Sequence, residues 1–163
     1  MNVVTIALDS LAATAALGAA ISTSLHPGDR VLLSGDLGSG KTTLARAIGV
    51  ALHAEPELTS PTFIYVAEHR GDLPIWHVDA YRLPVGTDAL RAGVIDERQE
   101  QGVTLIEWPE HLGGLDGEEP GTLRVLLAAV EPDDARSATI SGARPGLRAV
   151  LATTFGSSEG DRG

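Results

Sequence analysis

A chain of 163 residues with 43% hydrophobic and 21% charged residues is long enough to bury roughly two-thirds of its unfolded surface in one core, and too apolar to stay disordered. Its 12 basic against 22 acidic residues leave a net charge of −10, which repels a nucleic-acid backbone at long range, so any nucleic acid is expected to be held by a partner. Cysteine is absent, which excludes disulfides, zinc–thiolate sites and thiol catalysis together.

In chain order, "VVTIAL" reads as a short strand, and Asp9 or Ser10 caps a helix in which Leu11, Leu17, Ile21 and Leu25 recur at near-helical spacing. The apolar run "LAATAALGAAI" inside it has no basic segment before it and is too short to span a bilayer. A soluble, cytoplasmic protein without a membrane segment is therefore expected. "RVLLS" is a buried-strand run that stops at Gly35; beyond the glycines, Leu44, Ile48, Ala51 and Leu52 mark an amphipathic helix. "FIYVAEH" and "PIWHVDAY" flank a turn at "RGDL", "TDALRAG" reads as a short helix, and "VTLIEW" is a strand ending on an acid. "HLGGLDGEEPG" reads as a surface loop, "TLRVLLAAV" and "RSATISGA" as a hairpin around "EPDDA", and "PGLRAVLATTF" as a closing helix. One domain over residues 1–155 with a frayed tail at 156–163 is expected, without internal repeats. The order of elements implies a mixed sheet with helices packed on it; with the glycines between "RVLLS" and the second helix, the expected class is a three-layer α/β fold of the P-loop NTPase type, its mostly parallel central sheet carrying helices on both faces and inserted and C-terminal β-hairpins.

"GDLGSGKTT" satisfies G-x-x-x-x-G-K-[ST] through Gly35, Gly40, Lys41 and Thr42. Glycines let successive backbone N–H groups turn toward a polyphosphate, and the helix that follows adds its partly positive end. Lys41 supplies a compact charge for the β and γ phosphates, and the Thr42 hydroxyl suits the octahedral shell of Mg²⁺. Lys41 is the only lysine in the chain; the other 11 of its 12 basic residues are arginines, whose planar fork does not replace an ammonium there.

Phosphoryl transfer also requires a carboxylate near the metal and a group that orients the nucleophile. Asp79 and Glu107 both end strands expected to reach the same sheet edge as the glycine loop. "TSPTF" sets two hydroxyls around a proline where nucleotide-sensing loops contact Mg²⁺ or the γ-phosphate. His77 shares a strand face with Asp79 and reads as a packed or hydrogen-bonded residue before it reads as a base. Trp76 and Trp108 read as core or lid packing.

Taken together, "GDLGSGKTT", "SPTF", "HVDAYRL" and "LIEWPE" resemble the bacterial TsaE (YjeE) family, the small ATPase of tRNA threonylcarbamoyladenosine (t6A) biosynthesis, over roughly Asp9 to Arg136. The resemblance implies that Gly38, Ser39, Gly40, Lys41, Thr42 and Thr43 bind the ATP phosphates and that Thr42 and Glu107 reach Mg²⁺. It places Thr62 and Asp79 in switch-like segments at the γ-phosphate, with Asp79 a candidate for positioning water, and Ser10 and Arg136 at the nucleotide's outer side. Lys41, Asp79 and Glu107 are the implied catalytic set; which of the two acids positions water stays open. The implied partners are TsaB and TsaD, with tRNA reached only through them. In that machinery TsaD transfers threonylcarbamoyl to adenosine 37 of tRNAs reading codons that begin with A. The chain departs from the family pattern at Phe63, Thr59 and the polar "ERQEQG". Two other readings use the same loop, a P-loop small-molecule kinase and a nucleotide-gated docking module. A Ras-like GTPase would need a second lysine in its guanine-reading motif.

Overall fold

The computed structural model describes residues 3–60, 65–115, 119–130 and 135–156. Strand β1 (Val4–Leu8) leads into helix α1 (Leu11–Thr23), whose start is set by Ser10: its Oγ accepts the Ala13 N–H at 3.1 Å, satisfying one of the free donors of the first turn. Strand β2 (Arg30–Ser34) enters the glycine loop and helix α2 (Lys41–Ala51) leaves it. Next come β3 (Val66–His69) and β4 (Ile75–Asp79), then the two-residue β5 (Thr87–Asp88), a 3₁₀ turn at Glu97–Gln101, and β6 (Val103–Glu107). A second 3₁₀ turn (Pro109–His111), β7 (Leu112–Gly113), the strand pair β8 (Thr122–Val130) and β9 (Ala135–Ser141), and α3 (Pro145–Phe155) complete the described elements.

Seven strands form one sheet in the order β1-β9-β8-β2-β6-β4-β3. The four central strands β8, β2, β6 and β4 pair in parallel, while β1 on β9, β9 on β8 and β3 on β4 pair antiparallel. This is the expected α/β architecture, with parallel pairing confined to the middle. The two faces differ from the expectation of helices on both. Leu17 and Ile21 of α1, Leu44 and Ile48 of α2, and Leu147 and Leu151 of α3 all join one core with Val31, Leu33, Leu105 and Val125. The alternate residues Leu32, Val78 and Ile106 face the other way, where Ala89, Val94, Ile95 and Leu112 cover them, since strand side chains alternate sides. Among the described residues that second layer contains only 3₁₀ turns and short bridges and none covers β8 there, leaving Leu126 50% exposed.

The expected helix at "TDALRAG" is not formed. Thr87 and Asp88 pair with Leu112 and Gly113, Asp88 accepts the Arg91 N–H at 2.9 Å, and positive φ at Gly86 and Gly93 closes the segment at both ends; too few residues remain for propagating helical bonds. "HLGGLDGEEPG" is only in part a surface loop, because Leu112 is buried in the second core. Leu11 stays 79% exposed: it precedes Leu17 by six residues, which leaves it a third of a turn off the buried stripe. Gly18 instead marks that stripe, since a Cβ there would lie 2.6 Å from the Ala47 Cβ, so its absence lets α1 and α2 touch. The tail at 157–163 lies outside the described residues. Among those described, no helix is long and apolar enough to cross a membrane.

Candidate functional site

At the carboxyl end of β2 the chain must turn away from the sheet without obstructing its rim. Gly35 does this at φ 145°, where a Cβ would sit 2.4 Å from the Leu127 carbonyl oxygen. Gly38 and Gly40 also have positive φ, and nothing lies within 4 Å of where their Cβ atoms would be. The loop therefore presents bare backbone to an open cleft of about 370 Å³. Its walls include Gly38, Gly40, Lys41, Thr42 and Thr43, with Asp79 and Glu107 opposite.

Lys41 opens α2 and is buried. Its Nζ donates to the Gly35 carbonyl at 2.6 Å, the Asp36 carbonyl at 2.9 Å and Ser39 Oγ at 3.4 Å, and lies 4.2 Å from the Trp108 ring centroid, a cation–π distance. Burial holds the ammonium below its ordinary pKa of 10.5, opposed by attraction to Glu107, Glu110, Asp79 and Asp36; desolvation of the charged form is the larger effect. Ser39 is itself buried, so it shapes the loop from inside.

Thr42 Oγ1 donates to Glu107 Oε1 at 2.7 Å, and the other oxygen, Oε2, lies 2.6 Å from His77 Nε2. Glu107 is 2% exposed, so this carboxylate is held at both oxygens. Parallel pairing sets Asp79 directly beside Glu107, and Asp79 Oδ1 accepts the Tyr81 N–H at 3.0 Å. Two carboxylates and a hydroxyl are hard oxygen donors at one rim, the donor set that suits Mg²⁺, and the open glycine backbone beside them suits a polyphosphate. The residues present fit both.

Arg136 stands on β9 opposite Leu8, and its Nη2 donates to the Gly38 carbonyl at 3.2 Å. Ser10 follows β1 and caps α1, outside the cleft walls. Thr62 lies outside the described residues, while its neighbour Ser60 lines the cleft. Sequence alone gave no site role to Leu37, Tyr65, Tyr81, Arg82 or Trp108, all of which line the cleft together with Ser60, one of the two hydroxyls of "TSPTF". Trp108 sits in the left-handed region at φ 58° and packs its ring at a tilt against Tyr81 at 4.9 Å and His111 at 5.5 Å. An aromatic followed by Pro109 directly after a strand-ending acid was the available signal, since such a ring leaves the sheet at its functional rim.

The family model for "Threonylcarbamoyl adenosine biosynthesis protein TsaE" matches residues 8–137. The chain belongs to the TsaE family. A relative from Streptomyces coelicolor, "tRNA threonylcarbamoyladenosine biosynthesis protein TsaE", is 38% identical over 77% of this chain and 88% of its own. A relative of the same name from Treponema pallidum is 32% identical over 78% and 93%. The crystal structure of YdiB from Bacillus subtilis superposes with a TM-score of 0.67 at 25% identity, covering 93% of each chain. The span matched to the TsaE family runs from the end of β1 into β9, and so includes Ser10, the glycine loop, both carboxylates and Arg136.

Proposed function

We propose that this TsaE-family chain binds and hydrolyses ATP with Mg²⁺ as a component of tRNA t6A biosynthesis, working in the cytoplasm with TsaB and TsaD partners. The observation that carries the reading is the convergence of Lys41, the Thr42–Glu107 pair and Asp79 on one cleft at the carboxyl ends of β2, β4 and β6. Family membership supports the pathway.

In this reading the backbone of Gly38, Ser39, Gly40, Lys41, Thr42 and Thr43 holds the phosphates of ATP, and Lys41 Nζ leaves its loop carbonyls for the β and γ oxygens. Thr42 and Glu107 hold Mg²⁺, which when bound neutralises charge building on the phosphates. Asp79, beside Glu107 at the open rim, is the better placed of the two acids to orient a water, because both oxygens of Glu107 are already engaged. Thr62 belongs to the γ-phosphate segment, and Arg136 and Ser10 to the nucleotide's outer side.

Hydrolysis by the chain alone is slow in this proposal. Lys41 is withdrawn onto its own loop beneath Trp108, so a rearrangement precedes productive binding, and partner docking supplies it. A net charge of −10 leaves the grip on tRNA to the partners. The test is steady-state ATP hydrolysis by the purified chain, alone and with TsaB, TsaD and tRNA. Stimulation by the partners is expected; hydrolysis that requires a small-molecule phosphate acceptor and ignores the partners overturns the proposal in favour of a kinase.

A further inference from the structure

His77 lies in the middle of β4, completely buried, with its ring on the α2 side of the sheet. Its cross-strand partner is Leu105, and Ile75 precedes it on the same face. A leucine would fill this position without any hydrogen-bonding requirement. Instead the imidazole makes one polar contact, Nε2 to Glu107 Oε2 at 2.6 Å, and its Nδ1 has no partner among the described residues. A buried polar ring with half of its capacity unused is unfavourable by itself, so what distinguishes histidine from an aliphatic here is the contact to Glu107.

We infer that His77 is a positioning residue that orients the Glu107 carboxylate toward Thr42 and thereby sets Mg²⁺ affinity. The inference rests on the reading of Thr42 and Glu107 as the metal-holding pair. An ionised carboxylate only accepts hydrogen bonds, so the proton in this contact is carried by Nε2. With Oε2 engaged, Oε1 is left to take the Thr42 proton at 2.7 Å. The hydroxyl then points its proton at Glu107 and its lone pairs away from it, toward the cleft. Without the imidazole, the same carboxylate has a competing attraction, the Lys41 ammonium, with which it already interacts. Turning toward Lys41 takes Glu107 off Thr42 and releases the hydroxyl. Outer contacts of this kind typically change metal affinity about 10- to 100-fold.

The experiment measures ADP binding to the full chain by calorimetry, in EDTA and across a Mg²⁺ titration, for the parent and three variants. His77→Leu removes the donor. His77→Gln puts an amide N–H close to the Nε2 position, whereas His77→Asn places its amide near Nδ1, short of Glu107. The expected result is a Mg²⁺ requirement raised about 10- to 100-fold in His77→Leu and His77→Asn, largely recovered in His77→Gln, with ADP affinity in EDTA equal in all four. Parent-like Mg²⁺ dependence in His77→Leu overturns the inference, as does equal behaviour of the Asn and Gln variants, or a loss equally large in EDTA. If His77→Leu does not fold, the Asn and Gln pair decides. A parent whose ADP affinity ignores Mg²⁺ overturns the metal reading itself, and the inference with it.

Discussion

Replacing the single lysine by arginine separates charge from shape at the glycine loop. Lys41 Nζ is surrounded by acceptors at 2.6, 2.9 and 3.4 Å and by the Trp108 ring at 4.2 Å, so a planar guanidinium has no room without displacing the loop or the indole. Overpacking of this kind lowers fold stability by about 1–3 kcal/mol, whereas loss of one charge-assisted bond to phosphate lowers affinity by about 1.5–3 kcal/mol. The lost bond predicts roughly a 10- to 100-fold loss of MgADP affinity in Lys41→Arg, at about 1.4 kcal/mol per factor of ten. Lys41→Ala, which loses the charge as well, is the reference. Calorimetric titration of MgADP into the three proteins reads the effect. If Lys41→Arg binds within tenfold of the parent while Lys41→Ala fails, charge alone suffices at this position and the geometric argument is wrong.

The lowered pKa of Lys41 carries a pH signature. The folded chain releases this proton before the unfolded chain does, so its contribution to stability rises with pH through the alkaline window that closes at 10.5, and is least favourable below it. Denaturant unfolding of the parent and Lys41→Met across that window checks this, because no other lysine titrates there: the parent should gain stability relative to the variant as pH rises. Arg144→Ala removes the fork that holds the buried Asp29 carboxylate, where Nη2 bonds Oδ1 at 2.8 Å and Nη1 bonds Oδ2. With Arg144 itself 40% exposed, a loss of about 2–3 kcal/mol is expected, seen as a fall in melting temperature of roughly 4–12 °C. Gly18→Ala forces a methyl against Ala47 and should lower stability by about 1–3 kcal/mol with MgADP affinity retained, measured by melting and titration.

Periodicity and punctuation located most of the elements. The runs at β2, β6 and β8 are apolar because both faces or one face are buried, and glycine and proline end them. The glycine loop was legible for a similar reason: Gly35, Gly38 and Gly40 answer local backbone demands, and Lys41 and Thr42 follow at fixed spacing. The same local signals misread "TDALRAG", where pairing of Thr87 and Asp88 with β7 prevailed over helix propensity.

What local pattern determined, then, is which residues stand at strand ends and in the loop, because those choices depend on near neighbours in the chain. Only the tertiary structure decided which of them meet. Thr42 reaches Glu107 across 65 residues, His77 reaches Glu107 across 30, and Arg136 reaches Gly38 across 98. The register of β4 on β6 puts Asp79 rather than His77 level with Glu107, and a shift of one residue would turn the carboxylates to opposite faces. Register is set by the whole sheet and the helices packed on it, which is why the acids were visible as candidates in the sequence while their adjacency and their hydrogen-bond partners were not.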